Sequence, residues 1–99
     1  MKKKVSIILP TYNEKENVKE VIQQIEYYVL DLYEIIIVDD NSPDGTADII
    51  AEMMRKDKRI KLVRRVDEKG LASAIARGIE ESQGTIVGWM DCDLGMPPA

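Results

Sequence analysis

The chain has 99 residues, 44% hydrophobic and 32% charged, with a net charge of −4. That is the composition of one soluble globular domain, and its acidic balance excludes a general nucleic-acid binder, which carries a basic excess. One cysteine and no histidine exclude an internal disulfide, a cysteine-based zinc cluster and a histidine-containing triad, so a metal would have to sit among oxygen ligands.

Val5-Ser6-Ile7-Ile8-Leu9 is a short, partly β-branched apolar run ended by Pro10, and reads as the first strand. Asn13, with Glu16 three residues on, has the form of a capping box opening a helix whose apolar stripe is Val18, Val21, Ile22, Ile25 and Val29. Glu34-Ile35-Ile36-Ile37-Val38 is a continuous run of strand length, the pattern of a strand covered on both faces. Asp39 to Gly45 is turn chemistry, in which Ser42 before Pro43 is placed to cap a second helix carrying Ile49, Ile50, Met53 and Met54. Ile60–Arg64 is a third strand, and after Gly70 a third helix puts Leu71, Ile75, Gly78 and Ile79 on one side and stops before Gly84. Thr85–Met90 is a fourth strand, with Trp89 read as core and Asp91 at its end. Four strands alternating with three helices, joined by right-handed crossovers, predict an open, doubly wound parallel sheet of the α/β class. The Met1–Lys4 start carries no cleavage signal and no run approaches the ~20 apolar residues of a membrane helix, so a cytoplasmic protein is expected.

Open α/β sheets bind ligands beyond the carboxyl ends of their strands. The conspicuous polar residues fall there: Pro10-Thr11-Tyr12-Asn13-Glu14 after the first strand, Asp39-Asp40 after the second, Arg64-Arg65 after the third and Asp91-Cys92-Asp93 after the fourth. With the strands in the order 3-2-1-4, a crevice between the first and fourth would set Glu14 against Asp91 and Asp93. The first loop has no glycine, which excludes a dinucleotide fingerprint or phosphate loop. Carboxylates along this edge would repel a bare diphosphate, and Mg²⁺ or Mn²⁺ among oxygen ligands removes the conflict. In extended chain Asp91 and Asp93 lie on one side, about 6.6 Å apart, so one can hold the metal while the other reaches a sugar hydroxyl.

Four stretches, "VSIILPTYNEKENV", "YEIIIVDDNSPDGT", "RRVDEKGLASAIARG" and "DCDLGMPP", resemble in order and spacing the N-terminal half of a family 2 glycosyltransferase of the GT-A fold. The likeness is strongest to the dolichol-phosphate mannose synthase group. It implies transfer of a sugar from a GDP-mannose or UDP-glucose type of donor to a polyprenyl phosphate, with Mg²⁺ or Mn²⁺. By position, Pro10, Tyr12 and Glu14 would line the nucleoside pocket, and Val38 and Asp40 would contact base and ribose. Asp91 and Cys92 would touch the nucleotide sugar, and Asp93, with Asp91, would serve the metal and the catalytic step. The group's usual metal-binding glutamine two residues past Asp93 is Gly95 here. A complete domain of the family continues for roughly as many residues again, so the resemblance implies that 1–99 is a donor-binding part, incomplete at its C-terminus.

Other readings stand beside these. Asp39 is a local turn cap and Asp40 the better ligand; Tyr12 either packs at a rim or stacks on a base. Arg64, Arg65, Lys69 and Arg77 are either ordinary surface charges or a positive wall for the diphosphate. Cys92 among acidic neighbours is a packing residue rather than a nucleophile. A family 2 enzyme with a polysaccharide or other glycan acceptor is an alternative. So is a non-catalytic chain that forms a homo-oligomer through an exposed edge at Thr85–Met90.

Overall fold

In the computed structural model, which describes residues 3–92, seven elements follow one another as β1 (Val5–Thr11), α1 (Val18–Tyr28), β2 (Leu32–Asp39), α2 (Thr46–Lys56), β3 (Ile60–Arg64), α3 (Leu71–Glu81) and β4 (Ile86–Trp89). The strands form a parallel sheet in the order β3-β2-β1-β4. Side chains alternate across a strand, so one apolar run feeds two layers. Ile7, Leu9, Ile35 and Ile37 meet Val18, Val21, Ile22 and Ile25 of α1 and Ile50 of α2 on one face. Ile8, Ile36 and Val38 meet Ala74 of α3 on the other. The fit under α3 is close: a Cβ added at Gly78 would lie 2.5 Å from Ile8 Cγ2.

Three local expectations are corrected. The first helix begins at Val18 behind Asn17, not behind Asn13. Asn13 takes a left-handed conformation, φ 55°, which asparagine tolerates better than most residues, and its N–H donates to Ser42 Oγ at 2.9 Å. Ser42 does not cap α2, because its hydroxyl is engaged by Asp39; Asp44 instead accepts from the Thr46 N–H at 3.0 Å. Trp89 is not core: it is 47% exposed, with Ile86, Val87 and Met90 exposed beside it. Among the described strands β4 pairs with β1 alone, and α3 packs chiefly over β1 and β2, leaving β4 bare.

One charged residue lies inside the apolar run. Glu34 is fully buried, and Ser6 Oγ and the Gln83 N–H donate to its Oε2 at 2.6 Å each, while Lys61 Nζ donates to Oε1 at 2.5 Å. Burial alone would raise its pKa; Lys61, Ser6 and the Gln83 amide outweigh that and hold it below the ordinary carboxylate value. This network ties β1, β2, β3 and the turn after α3 at the sheet edge opposite the strands' carboxyl ends.

Candidate functional site

Parallel strands deliver their following loops to one edge, and at that edge lies a cavity of about 430 Å³. Pro10, Thr11, Tyr12 and Glu14 line it from the end of β1, Asp40 from the end of β2, and Lys69, Gly70, Leu71 and Ala74 from the start of α3. Pro10 pairs with Val38 of β2 and lies past the last residue of β1 that β4 pairs with, Ile8, so its missing N–H costs no ladder bond.

The loops are bracketed from below. Asp39, wholly buried, accepts from Thr11 Oγ1 at 2.7 Å, Ser42 Oγ at 2.6 Å and the Ser42 N–H at 2.9 Å. Ser42 Oγ in turn receives the Asn13 N–H, and the Glu14 N–H donates to Thr46 Oγ1 at 3.1 Å. Buried polar groups are costly unless bonded, and here that requirement fixes the path of Tyr12–Glu14. Asp39 is therefore an internal support, while its neighbour Asp40 turns to the cavity.

Asp40 meets Arg65, whose Nε and Nη2 donate to Oδ1 and Oδ2 at 2.7 and 3.0 Å. The bond to Asp40 raises the guanidinium's pKa above its ordinary value, against the opposing effect of its own burial. Of the two readings of these cations, a positive wall of four is not what forms. Arg65 is only 4% exposed and engaged with Asp40; Arg64 donates to Asn41 Oδ1 at 3.1 Å; Arg77 pairs with Glu81 at 3.2 Å. Of the four cations Lys69 alone lines the cavity, with its Nζ 6.0 Å from the centre of the half-exposed Tyr12 ring. Within the cavity lining, Arg65 offsets the charge of Asp40, and Lys69 adds a cation.

Pro10, Tyr12, Glu14 and Asp40 are thus brought together. Val38 is not part of the lining: it is fully buried with Ile8, Ile36 and Ala74 and has no surface to offer a ligand. Cys92 is buried in the cluster beneath α1 and α2, and Asp91 is exposed beyond β4, outside the lining. Among the described residues this cavity lies over β1, β2 and the start of α3. Asp93 and Gly95 lie outside the described residues. Among the described residues no three potential metal ligands gather; the Asp91 carboxylate is the hard oxygen donor nearest the expected metal motif, a type suited to Mg²⁺ or Mn²⁺. No helix among them is long and apolar enough to cross a membrane. Gly70, Leu71 and Ala74 complete the lining without a site signal in the sequence beyond the glycine itself; Gly70 has φ +116°, a conformation side chains resist.

The Glycosyl transferase family 2 model matches residues 6–99. A dolichol-phosphate mannosyltransferase of Pyrococcus furiosus is 47% identical over 96 residues, which are 96% of this chain and 27% of that protein. The mannosyltransferase PcManGT from Pyrobaculum calidifontis, solved with GDP-Man and Mn²⁺, superposes with a TM-score of 0.81 at 28% identity, covering 94% of this chain and 28% of that one. S. aureus TarS in complex with UDP-GlcNAc superposes with a TM-score of 0.79 at 26% identity, covering 91% of this chain and 26% of that one. The chain spans about a quarter of the length of these proteins.

Proposed function

The chain belongs to glycosyl transferase family 2, and from that premise we propose that residues 1–99 form the nucleotide-sugar-binding part of a metal-dependent, inverting glycosyltransferase. The donor is a GDP- or UDP-activated mannose or glucose, and the acceptor a polyprenyl phosphate met at the cytoplasmic face of a membrane. The observation that carries this reading is the convergence of Pro10, Tyr12, Glu14 and Asp40, from two strand ends, on one cavity at the carboxyl edge of a parallel sheet. The mannosyltransferase with GDP-Man and Mn²⁺ supports the donor class and the metal, and the name of the Pyrococcus relative supports the acceptor.

The roles proposed are those that the family resemblance implies. Tyr12 presents half its surface for stacking on a base, Asp40 accepts a base N–H, and Glu14 closes the nucleoside side. Asp91, exposed beyond β4, orients the sugar, and Asp93 with Asp91 would hold Mg²⁺ or Mn²⁺. When bound, that ion supplies positive charge against the leaving diphosphate. A phosphate acceptor is already anionic near neutral pH, so no strong general base is required. Lys69 at the cavity rim adds a cation for the same diphosphate.

Calorimetric titration with GDP and with UDP, each with and without Mn²⁺, tests the reading. Metal-dependent binding of one nucleotide, lost in Asp93→Ala, is expected and identifies the donor base. Binding indifferent to both metal and Asp93 would contradict the metal assignment. A second reading, self-association, is favoured by the exposure of Ile86, Val87, Trp89 and Met90 along a strand edge that is unpaired among the described residues; sedimentation showing a strict monomer at all concentrations would exclude it.

A further inference from the structure

The end of β2 and the start of α3 are joined through one guanidinium. Arg65 holds Asp40 in a two-point fork, Nε to Oδ1 at 2.7 Å and Nη2 to Oδ2 at 3.0 Å, the geometry that fixes a carboxylate in plane as well as in position. Its other donors turn toward α3: Nη2 to the Gly70 carbonyl at 3.1 Å, Nη1 to Ser73 Oγ at 2.9 Å, and Nη1 to Glu68 Oε2 at 3.4 Å. The Gly70 N–H donates to Asp40 Oδ2 at 3.3 Å and completes the circuit. A guanidinium has five N–H donors, and these five bonds use all of them. Arg65 therefore has no donor left for a ligand, and its burial keeps it from reaching one.

We propose that Arg65 is a positioning residue for the nucleotide: without touching it, Arg65 aims the Asp40 carboxylate and sets the first turn of α3, which form two walls of the cavity. The proposal rests on the reading of that cavity as the nucleotide site. Two consequences are specific to it. Asp40 Oδ2 already accepts two N–H groups and Oδ1 only one, so the acceptor capacity left for a base is concentrated on Oδ1. Arg65 also offsets the charge of Asp40 behind the cavity wall, which allows a diphosphate to approach; a neutral residue at position 65 would leave that carboxylate uncompensated.

The test is calorimetric titration of the wild-type chain, Arg65→Lys, Arg65→Gln, Asp40→Asn and the Asp40→Asn/Arg65→Gln pair with guanosine, GDP, uridine and UDP in Mg²⁺. Melting temperatures and amide exchange at Gly70 are measured on the same proteins. Arg65→Gln is expected to weaken the preferred nucleotide by about 10- to 100-fold, as loss of a supporting bond behind a ligating group commonly does. It should weaken the diphosphate more than the nucleoside, and Arg65→Lys should fall between it and wild type. In the Asp40→Asn background Arg65→Gln should add little, because the two act through one another. Gly70 exchange should quicken in Arg65→Gln without any nucleotide. Wild-type binding lost in Asp40→Asn but kept in folded Arg65→Lys and Arg65→Gln would overturn the positioning role and leave the nucleotide reading standing. Absence of binding by the wild type would overturn both.

Discussion

Replacing Gly78 by alanine tests how α3 seats on the sheet, and with it one wall of the cavity. The added Cβ would lie 2.5, 2.8 and 3.0 Å from Cγ2, Cγ1 and Cδ1 of Ile8, whereas carbon atoms rest about 3.5–4.0 Å apart. Ile8 is fully buried in the middle of β1 and branched at Cβ, so it cannot swing clear; α3 must lift by roughly 1 Å or Ile8 must leave its rotamer. Overpacking of this kind costs about 1–3 kcal/mol, and three contacts on one stiff side chain put it at the upper end. Alanine returns about 1 kcal/mol of helix propensity over glycine. The net loss is then about 2 kcal/mol, a fall in melting temperature of about 8–16 °C for a domain of this size. Thermal unfolding followed by circular dichroism measures it. The sign should reverse when Ile8 is already alanine: with the clashing carbons gone, Gly78→Ala should stabilise the Ile8→Ala background by about 1 kcal/mol. An unchanged or higher melting temperature for Gly78→Ala in the wild-type background would refute the close seating of α3.

Three further outcomes are expected. The Glu26 carboxyl is pushed up to about 7 by its hydrogen bond to Asp57, then by burial and the Asp57 charge, with Arg59 opposing. Its contribution to stability is thus full below the ordinary value of 4.5 and lost as pH rises through about 7; urea midpoints across that range should fall more steeply in wild type than in Glu26→Gln. Glu34 has the opposite sign, its contribution being present above the ordinary carboxylate value and lost as pH falls below it, so Glu34→Gln should flatten the acid limb of the same curve. Asp39→Ala removes the acceptor of three bonds from Thr11 and Ser42, both nearly buried, and should cost about 2–4 kcal/mol in urea unfolding. Trp89, the single tryptophan, should emit as a solvent-exposed indole in dilute solution, and a blue shift on concentration would report pairing of β4 edges.

The two-layer cover was legible because Ile35–Val38 is apolar at every position, which only a strand buried on both faces requires; the order β3-β2-β1-β4, assumed rather than derived from sequence, is the one the sheet shows. The edge at which polar residues gather follows from parallel connectivity alone, and Pro10, Tyr12, Glu14 and Asp40 were placed by it. What escaped was whatever depends on which polar group answers which. Asn13 reads as a cap by type and spacing, yet Ser42, distant in sequence, takes its N–H and turns it left-handed. Arg65 reads as a surface cation until Asp40, Gly70 and Ser73 are seen to use its donors. Trp89 reads as core because composition does not reveal that β4 is an edge among the described strands. Val38 and Cys92 are assigned to the site by resemblance, and both are buried.

The most direct measurement is an amide NMR titration of the isotope-labelled chain with GDP and UDP in the presence of Mg²⁺. A nucleotide seated as proposed shifts Thr11, Tyr12, Glu14, Asp40, Gly70 and Ala74 together, with Asp91 responding when GDP-mannose or UDP-glucose replaces the nucleotide. Shifts confined to residues away from this edge, such as Glu26 and Asp57 between α1 and α2, or no shift at millimolar nucleotide, would contradict a donor site at the carboxyl ends of β1 and β2.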